Sequence, residues 1–332
     1  MRLINIDKNL SVPKYKQIIL SIESAIAQNR LKRNEKLPSI NKISLEFSLS
    51  RDTVLLAYDV LKKRGIIYSI LGKGYFIKSI DFSFEQRIFL LFDELNTFKE
   101  EIYNAFLSTM NNAAQIDIFF HHFNKKMFQK LINESNGNYS KYIIMPTNFE
   151  NAIDSIKLLP KDDVFILDQT NSTLCDYPSI HQNFKKNIYD SLATGKTLLE
   201  KYSKLILIFP GFREPLGMVE GFKIFCSDLN FENQIIESFD GNLILKGEVY
   251  IIPNDKDLVN VIEQAQRQNL IIGTDVGIIS YNDKPLKKVV VNGITTISTD
   301  FFAMGKILAT MILDNSKLQI ENECKLIVRN SL

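Results

Sequence analysis

Arg51, Asp52 and Thr53 follow Ser50 directly, placing a five-donor cation, a carboxylate and a hydroxyl within one turn of chain. Such side chains exchange hydrogen bonds with base edges and phosphates when an exposed helix end presents them. Ser39 and Asn41 offer a smaller set of the same kind shortly before. Lys73, between Gly72 and Gly74 and two residues ahead of Tyr75, puts a cation at the tip of a tight turn, suited to tracking a phosphate backbone or a minor groove. A second group, Phe92, Asp93, Phe149, Asn254 and Asp283, combines carboxylates, an amide and aromatic rings at or near the ends of apolar runs. That chemistry suits a polyol, whose adjacent hydroxyls pair with polar groups while its C–H face lies on a ring.

The first group needs a scaffold, and the flanking pattern supplies one. Residues 15–29 read as an amphipathic helix with Ile18, Ile22, Ala25 and Ile26 on one face. Pro38 breaks the chain, and Ser39 caps a short helix whose apolar positions are Ile40, Ile43 and Phe47. Ser50 opens another helix over 51–64, with Val54, Ala57, Tyr58 and Leu61 as its buried stripe. Gly65 ends it, and the strand-like runs 66–70 and 75–78 enclose a turn containing Gly72 and Gly74. This is the pattern of a winged helix-turn-helix, in which the first turn of the second helix of the pair enters a major groove. Charge agrees: residues 1–80 hold 15 Lys and Arg against 6 Asp and Glu, a net of +9, while the remainder holds 25 against 32, a net of −7. A basic head on an acidic body is the expected footprint of phosphate binding.

Over residues 12–78 the chain resembles the GntR family of bacterial transcription factors. The matching pieces are Tyr15-Lys16-Gln17-Ile18, Lys36-Leu37-Pro38-Ser39, Leu49-Ser50-Arg51-Asp52-Thr53-Val54, Leu61-Lys62-Lys63-Arg64-Gly65-Ile66-Ile67 and Gly72-Lys73-Gly74-Tyr75-Phe76-Ile77. The resemblance implies DNA contacts by Arg51 and Thr53, and by Asn41 at a position where the family usually has Arg. Ile40 replaces the usual Glu, and Leu55 stands where many members carry a second basic residue, so the operator should differ accordingly.

The length of 332 residues suits two domains: a head at 1–78, a linker at 79–86 and a body at 87–332. From residue 87 short apolar strands alternate with helices expected near 97–110, 125–136, 149–159, 187–202, 215–225, 256–269 and 301–313. Such alternation predicts an α/β body of parallel sheets covered on both faces, divided into two lobes. No apolar window reaches the ~20 residues of a membrane span. Cys175, Cys226 and Cys324 are scattered, as for reduced thiols in a cytoplasmic protein.

The body is similar to the effector domains of lactose-repressor-type regulators and periplasmic sugar-binding proteins. The similarity sharpens at Glu248-Val249-Tyr250-Ile251-Ile252-Pro253-Asn254-Asp255, at Ile278-Ile279-Ser280-Tyr281-Asn282-Asp283 and at 294–301. The whole chain then resembles GntR-headed regulators such as those of arabinose and fucose operons. Where that family has a sugar-contacting arginine three residues before Gly221, this chain has Met218, and Arg213 is the nearby substitute. Asn254 and Asp283 are favoured as effector contacts because each follows a strand within a matched motif. Asp93 follows one also, and Asp168 is set at the first crossover between lobes. Each Asp has the alternative reading of a cap or turn residue. Phe92, Phe149 and Phe212 are candidate ring covers, with core packing as the alternative.

The catalytic patterns weighed are absent or incomplete. Gly195-Lys196-Thr197 ends like a phosphate-binding loop but has Asp190 where a glycine is required. His121-His122 lacks metal-ligand spacing, and Gly-x-Ser-x-Gly is missing. No enzyme activity, cofactor or metal is therefore expected. The reading is a homodimeric repressor of a sugar-utilisation operon. It binds a pseudo-palindromic duplex DNA and responds to a monosaccharide or sugar phosphate held between the lobes. Two alternatives are a GntR-headed fusion to a pyridoxal-phosphate aminotransferase-like enzyme, for which the body is short, and an interaction protein without DNA recognition.

Overall fold

The computed structural model describes residues 3–7, 12–78, 86–111, 113–149, 151–211 and 213–332. In the head, α1 (Lys14–Ala27), α2 (Ile40–Phe47) and α3 (Arg51–Lys63) precede the hairpin β1 (Ile67–Ile70) and β2 (Gly74–Ile77). Ser39 Oγ accepts from Lys42 N at 3.2 Å and Ser50 Oγ from Thr53 N at 3.2 Å, so both predicted caps form. Ile18, Ile22, Val54, Ala57, Tyr58 and Leu61 are fully buried, and burying each large apolar side chain among them contributes about 1.5–3 kcal/mol. Tyr58 donates to the carbonyl of Pro38 at 2.7 Å, fixing the start of α2 against α3. Gly72, at φ 74°, supplies the left-handed turn that the two strands need.

The body has two six-stranded sheets. Lobe 1 contains β3 (Gln86–Phe92), β4 (Ala114–Phe120), β5 (Lys141–Ile144), β6 (Val164–Asp168), β7 (Ser179–His181) and β13 (Gln319–Glu321), all parallel, in the order β13-β7-β6-β5-β3-β4. Lobe 2 contains β8 (Lys204–Ile208), β9 (Glu232–Ile236), β10 (Glu248–Ile252), β11 (Gly277–Tyr281), β12 (Thr295–Thr299) and the antiparallel β14 (Cys324–Ile327) in the order β14-β12-β11-β10-β8-β9. In lobe 1, α4 (Thr97–Met110) and α11 (Phe301–Leu313) cover one face, while α5 (Lys125–Ser135) and α6 (Ala152–Ile156) cover the other. In lobe 2, α7 (Phe184–Thr194) and α9 (Gly217–Asp228) lie opposite α10 (Asp255–Arg267). At Gly221 α9 comes so near α7 that a Cβ would stand 2.1 Å from the carbonyl oxygen of Lys185. Two-lobed α/β architecture under a winged helix is therefore as expected.

Two differences matter. The first crossover follows β7 at Gln182–Asn183, one strand later than the sequence reading placed it at Asp168, because Ser179–His181 pairs beside β6 despite its brevity. The helix expected over 187–202 begins earlier, where the Asn183 side chain accepts from Lys186 N, and is interrupted at Gly195 before the short α8 (Lys196–Leu199). The linker, apart from Gln86 at the start of β3, and Phe212 lie outside the described residues.

The chain crosses between lobes three times, after β7, β12 and β13, and the crossings are bonded to one another. Asn322 N donates to His181 O at 2.7 Å, Asn322 Nδ2 to Asp300 O at 2.9 Å, and Asp300 N to Glu323 O at 3.2 Å. Asn322 is buried, so these bonds are shielded from competing water.

Candidate functional site

Two surfaces hold the candidate residues. On the head, Ser39, Asn41, Ser50, Arg51, Asp52, Gly72 and Lys73 are exposed, and Thr53 is half-buried. Arg51 and Asp52 occupy the first turn of α3, whose amide N–H groups and helix dipole favour an anion. Ser50 and Thr53 hydroxyls lie 2.8 Å apart and bond to one another. Their first duty is thus to close the helix start. Tyr75 packs edge-on against Tyr58, with ring centroids 4.8 Å apart, so its ring is anchored in the head's core.

The second surface is a cleft of about 640 Å³ between the lobes, lined by Asp93, Arg213 and Asn254 among the expected residues. Asn254 also caps α10: its Oδ1 accepts from Asp257 N at 2.8 Å. Arg213 lies with its guanidinium over the Phe123 ring, 5.2 Å from the centroid. The other three expected contacts are directed elsewhere. Phe92 is buried in the core beneath α4 and α11, since residues alternating along a central strand reach both helix-covered faces. Phe149 packs on His121 and Phe128, with centroids 5.1 Å and 5.4 Å away. Asp283 turns to Arg329, which holds both carboxylate oxygens at 2.7 and 2.8 Å, while Thr296 Oγ1 donates to it at 3.2 Å. That bidentate pair keeps the Asp283 carboxyl below its ordinary range and ties the chain's end to lobe 2.

What occupies the cleft floor instead is Lys99, from the first turn of α4. Its Nζ is 3.6 Å from Asp93 Oδ2 and 3.5 Å from Asp168 Oδ2, and the lysine is buried. These carboxylates hold Lys99 protonated against the cost of burial. Asp93 is pushed up by burial and by the neighbouring Asp168 charge, because one cation serves both acids. Asp168 adopts φ 71°, Phe123 φ 54° and Asn282 φ 59°, left-handed values that cluster at the strand ends around the cleft. Tyr281 is buried in the cleft wall, and its Oη has no hydrogen-bond partner among the described residues; the same holds for Asn282 Oδ1. From lobe 2, Lys287 donates to the carbonyls of Tyr281 and Asn282 at 2.8 and 2.9 Å, and burial lowers it to about 8.

Lys99, Tyr281 and two further residues of the cleft lining, Gln182 and Glu214, carry no signal in the sequence that marks them as site residues. Lys99 has no distinguishing neighbour in a helix rich in charge, and Gln182 acquires its place only through the unanticipated β7. Tyr281 lies within the motif at 278–283, at the end of an apolar strand.

Comparison with known proteins locates the same two parts. The model of the GntR family of bacterial regulatory proteins matches residues 14–77, and that of a periplasmic binding protein-like domain matches residues 248–332. The arabinose metabolism transcriptional repressor of Geobacillus stearothermophilus is 40% identical over 70 residues, covering 21% of this chain and 19% of the repressor. The mannosyl-D-glycerate transport/metabolism system repressor of Escherichia coli (strain K12) is 32% identical over 106 residues, or 32% of this chain and 42% of that protein. These matches span less than half of either relative. In structure, the lac repressor bound to ONPG aligns with a TM-score of 0.61 at 15% identity, covering 85% of this chain and 90% of the other. A LacI family transcriptional regulator from Silicibacter pomeroyi aligns at 0.61 and 11% identity, covering 74% and 98%. Similarity at that identity establishes the fold of the body, and the family matches cover the head and the last third of the body: the chain joins a GntR-family regulatory domain to a two-lobed, periplasmic-binding-protein-like body.

Proposed function

We propose that the protein is a one-component transcriptional regulator, a homodimeric repressor whose affinity for a DNA operator is set by a small polyhydroxylated effector in the inter-lobe cleft. The observation that carries the reading is the pairing, in one chain, of an exposed recognition turn at Arg51 and Asp52 with a cleft whose lining comes from both lobes. The two curated relatives named above, repressors of arabinose and of mannosyl-D-glycerate metabolism, support a carbohydrate effector.

The mechanism follows from the three bonded crossings. A ligand touching Asp93 and Lys99 from lobe 1 and Arg213 and Asn254 from lobe 2 gains contacts only when the lobes approach, so it favours the closed arrangement by its differential affinity. Closure pivots at the crossings, moves lobe 1 against lobe 2, and alters the spacing of two heads in a dimer. Heads that no longer match two half-sites lose the second contact, and affinity falls. Arg51 reads a base or phosphate in the major groove, and Lys73 follows the backbone or minor groove. Selection of binding sequences from a random duplex pool tests the reading. An inverted repeat should emerge with half-sites ~34 Å apart or a multiple of that spacing. No enrichment over the starting pool would refute it.

A further inference from the structure

Resting on the reading of α3 as the helix that enters the major groove, we propose that Leu55 sets sequence specificity by covering the C5-methyl group of a thymine. The helix sorts its side chains by spacing. Val54, Ala57, Tyr58 and Leu61 are fully buried and form its core side. Arg51, Leu55 and Lys62, at i, i+4 and i+11, run along one exposed side. That side adjoins the wing, because Lys62 Nζ donates to Ser69 Oγ of β1 at 3.0 Å. Leu55 therefore stands one turn beyond Arg51, on the strip between the recognition turn and the hairpin that carries Lys73. It is 38% exposed.

An aliphatic side chain at this place has one complement. The net charge of +9 over residues 1–80 matches the head to a polyanion. Phosphates and base edges give a leucine nothing to bond. Among the groups that bases present in the major groove, the thymine methyl is the apolar one. Covering it takes both the methyl and Leu55 out of water. A cytosine at the same step would lose a hydration partner for its amino group against the leucine and gain none in return. Side chains four apart on a helix begin about 5–6 Å apart, and base pairs are stacked about 3.4 Å apart. The thymine should thus lie within about two base pairs of the group that Arg51 contacts. A lone exposed leucine is ordinary on a protein surface, as Leu20 of α1 is at 44%. Continuity with Arg51 and the wing is what distinguishes Leu55.

The test uses the full chain and duplexes selected by it from a random pool, with affinity read by fluorescence anisotropy. Deoxyuridine replaces each thymine of the selected half-site in turn, which deletes one methyl group and leaves the hydrogen-bonding edges intact. One such replacement should weaken wild-type binding about 4-fold per half-site, the value of hiding one methyl group from water. In Leu55→Ala the same replacement should have little effect, and selection should no longer enrich thymine at that step. Leu20→Ala should discriminate like wild type. The deficit of Leu55→Ala should be equal at low and high salt, as an apolar contact releases no counterion. Wild-type binding that tolerates every uracil overturns the proposal, as does a Leu55→Ala protein that still prefers thymine over uracil or whose deficit varies with salt. Each of these would leave the reading of the head as a DNA-binding domain standing. If the wild-type chain selects no sequence at all, both fall.

Discussion

Thr299 Oγ1 donates a hydrogen bond to Oε1 of Gln182, joining the crossing that leaves lobe 2 to the one that leaves lobe 1. Gln182 Nε2 in turn donates to Asp168 Oδ1 at 2.6 Å, and Asp168 Oδ2 lies 3.5 Å from Lys99 Nζ. A buried polar chain therefore runs from the cleft floor to the pivot. Replacing Gln182 with Leu removes the carbonyl acceptor of the Thr299 hydroxyl and a donor from Asp168, at a cost of about 1–3 kcal/mol for each buried group left unpaired. Urea unfolding of Gln182→Leu, Thr299→Val and the double variant should show a coupling of roughly 0.5–3 kcal/mol. Additive effects would mean that the two residues do not act together.

On the head, Arg51→Ala should cost ~1–3 kcal/mol of operator affinity and relax base preference if Arg51 reads a base. Lys73→Ala should weaken all sequences alike and flatten the salt dependence by about one unit of slope. Fluorescence anisotropy with selected and scrambled duplexes at several salt concentrations measures both. Wild-type behaviour in both variants would contradict the contact assignment.

His121 provides a pH prediction. It is fully buried, its Nε2 lies 3.1 Å from Met145 O, and burial lowers its pKa to about 4. The folded protein thus holds the ring neutral, whereas the unfolded chain protonates it near 6.5. Stability from this source is present above pH 6.5 and is lost as pH falls towards 4, by on the order of 3 kcal/mol in total. Denaturation at pH 7 and pH 5 should show the decline, and His121→Phe should make it shallower. An unchanged pH profile in that variant would count against the assignment.

Asp283→Ala should destabilise the folded protein by about 1.5–3 kcal/mol, because Arg329 loses a bidentate, charge-assisted partner. Since the Asp283 pKa is depressed, its contribution is present above the ordinary carboxylate range and disappears as pH falls through the folded value. Effector affinity in the folded variant should stay near wild type. A lost ligand response with unchanged stability would restore Asp283 to the cleft.

The head was legible almost residue by residue. Its caps, Ser39 and Ser50, and its buried stripes are local patterns whose chemistry is set within a few residues of chain. The strand-helix rhythm of the body was equally readable, and α4 and α11 fall at the bounds expected. The strands β7, β9, β12, β13 and β14 escaped because segments of three to five residues with few large apolar side chains carry too little periodic signal and are fixed by their neighbours in the sheet. The cleft was harder for the same reason. Asp93 and Asn254 follow strands directly, and strand ends meet at a cleft in this architecture. Asp283 follows the same rule, but Arg329, 46 residues further on, captures it. Lys99 and Gln182 become significant only through Asp168, which no local pattern links to either.

The most direct test of the account is reciprocal linkage between cleft and head. Once an operator and a stabilising sugar are identified, operator affinity is measured with and without saturating sugar, and sugar affinity with and without operator. Coupling through the crossings predicts that each ligand weakens the other by the same factor, ~5–150-fold for a coupling of ~1–3 kcal/mol. Sugar binding that is indifferent to operator, with operator binding indifferent to sugar, would contradict it.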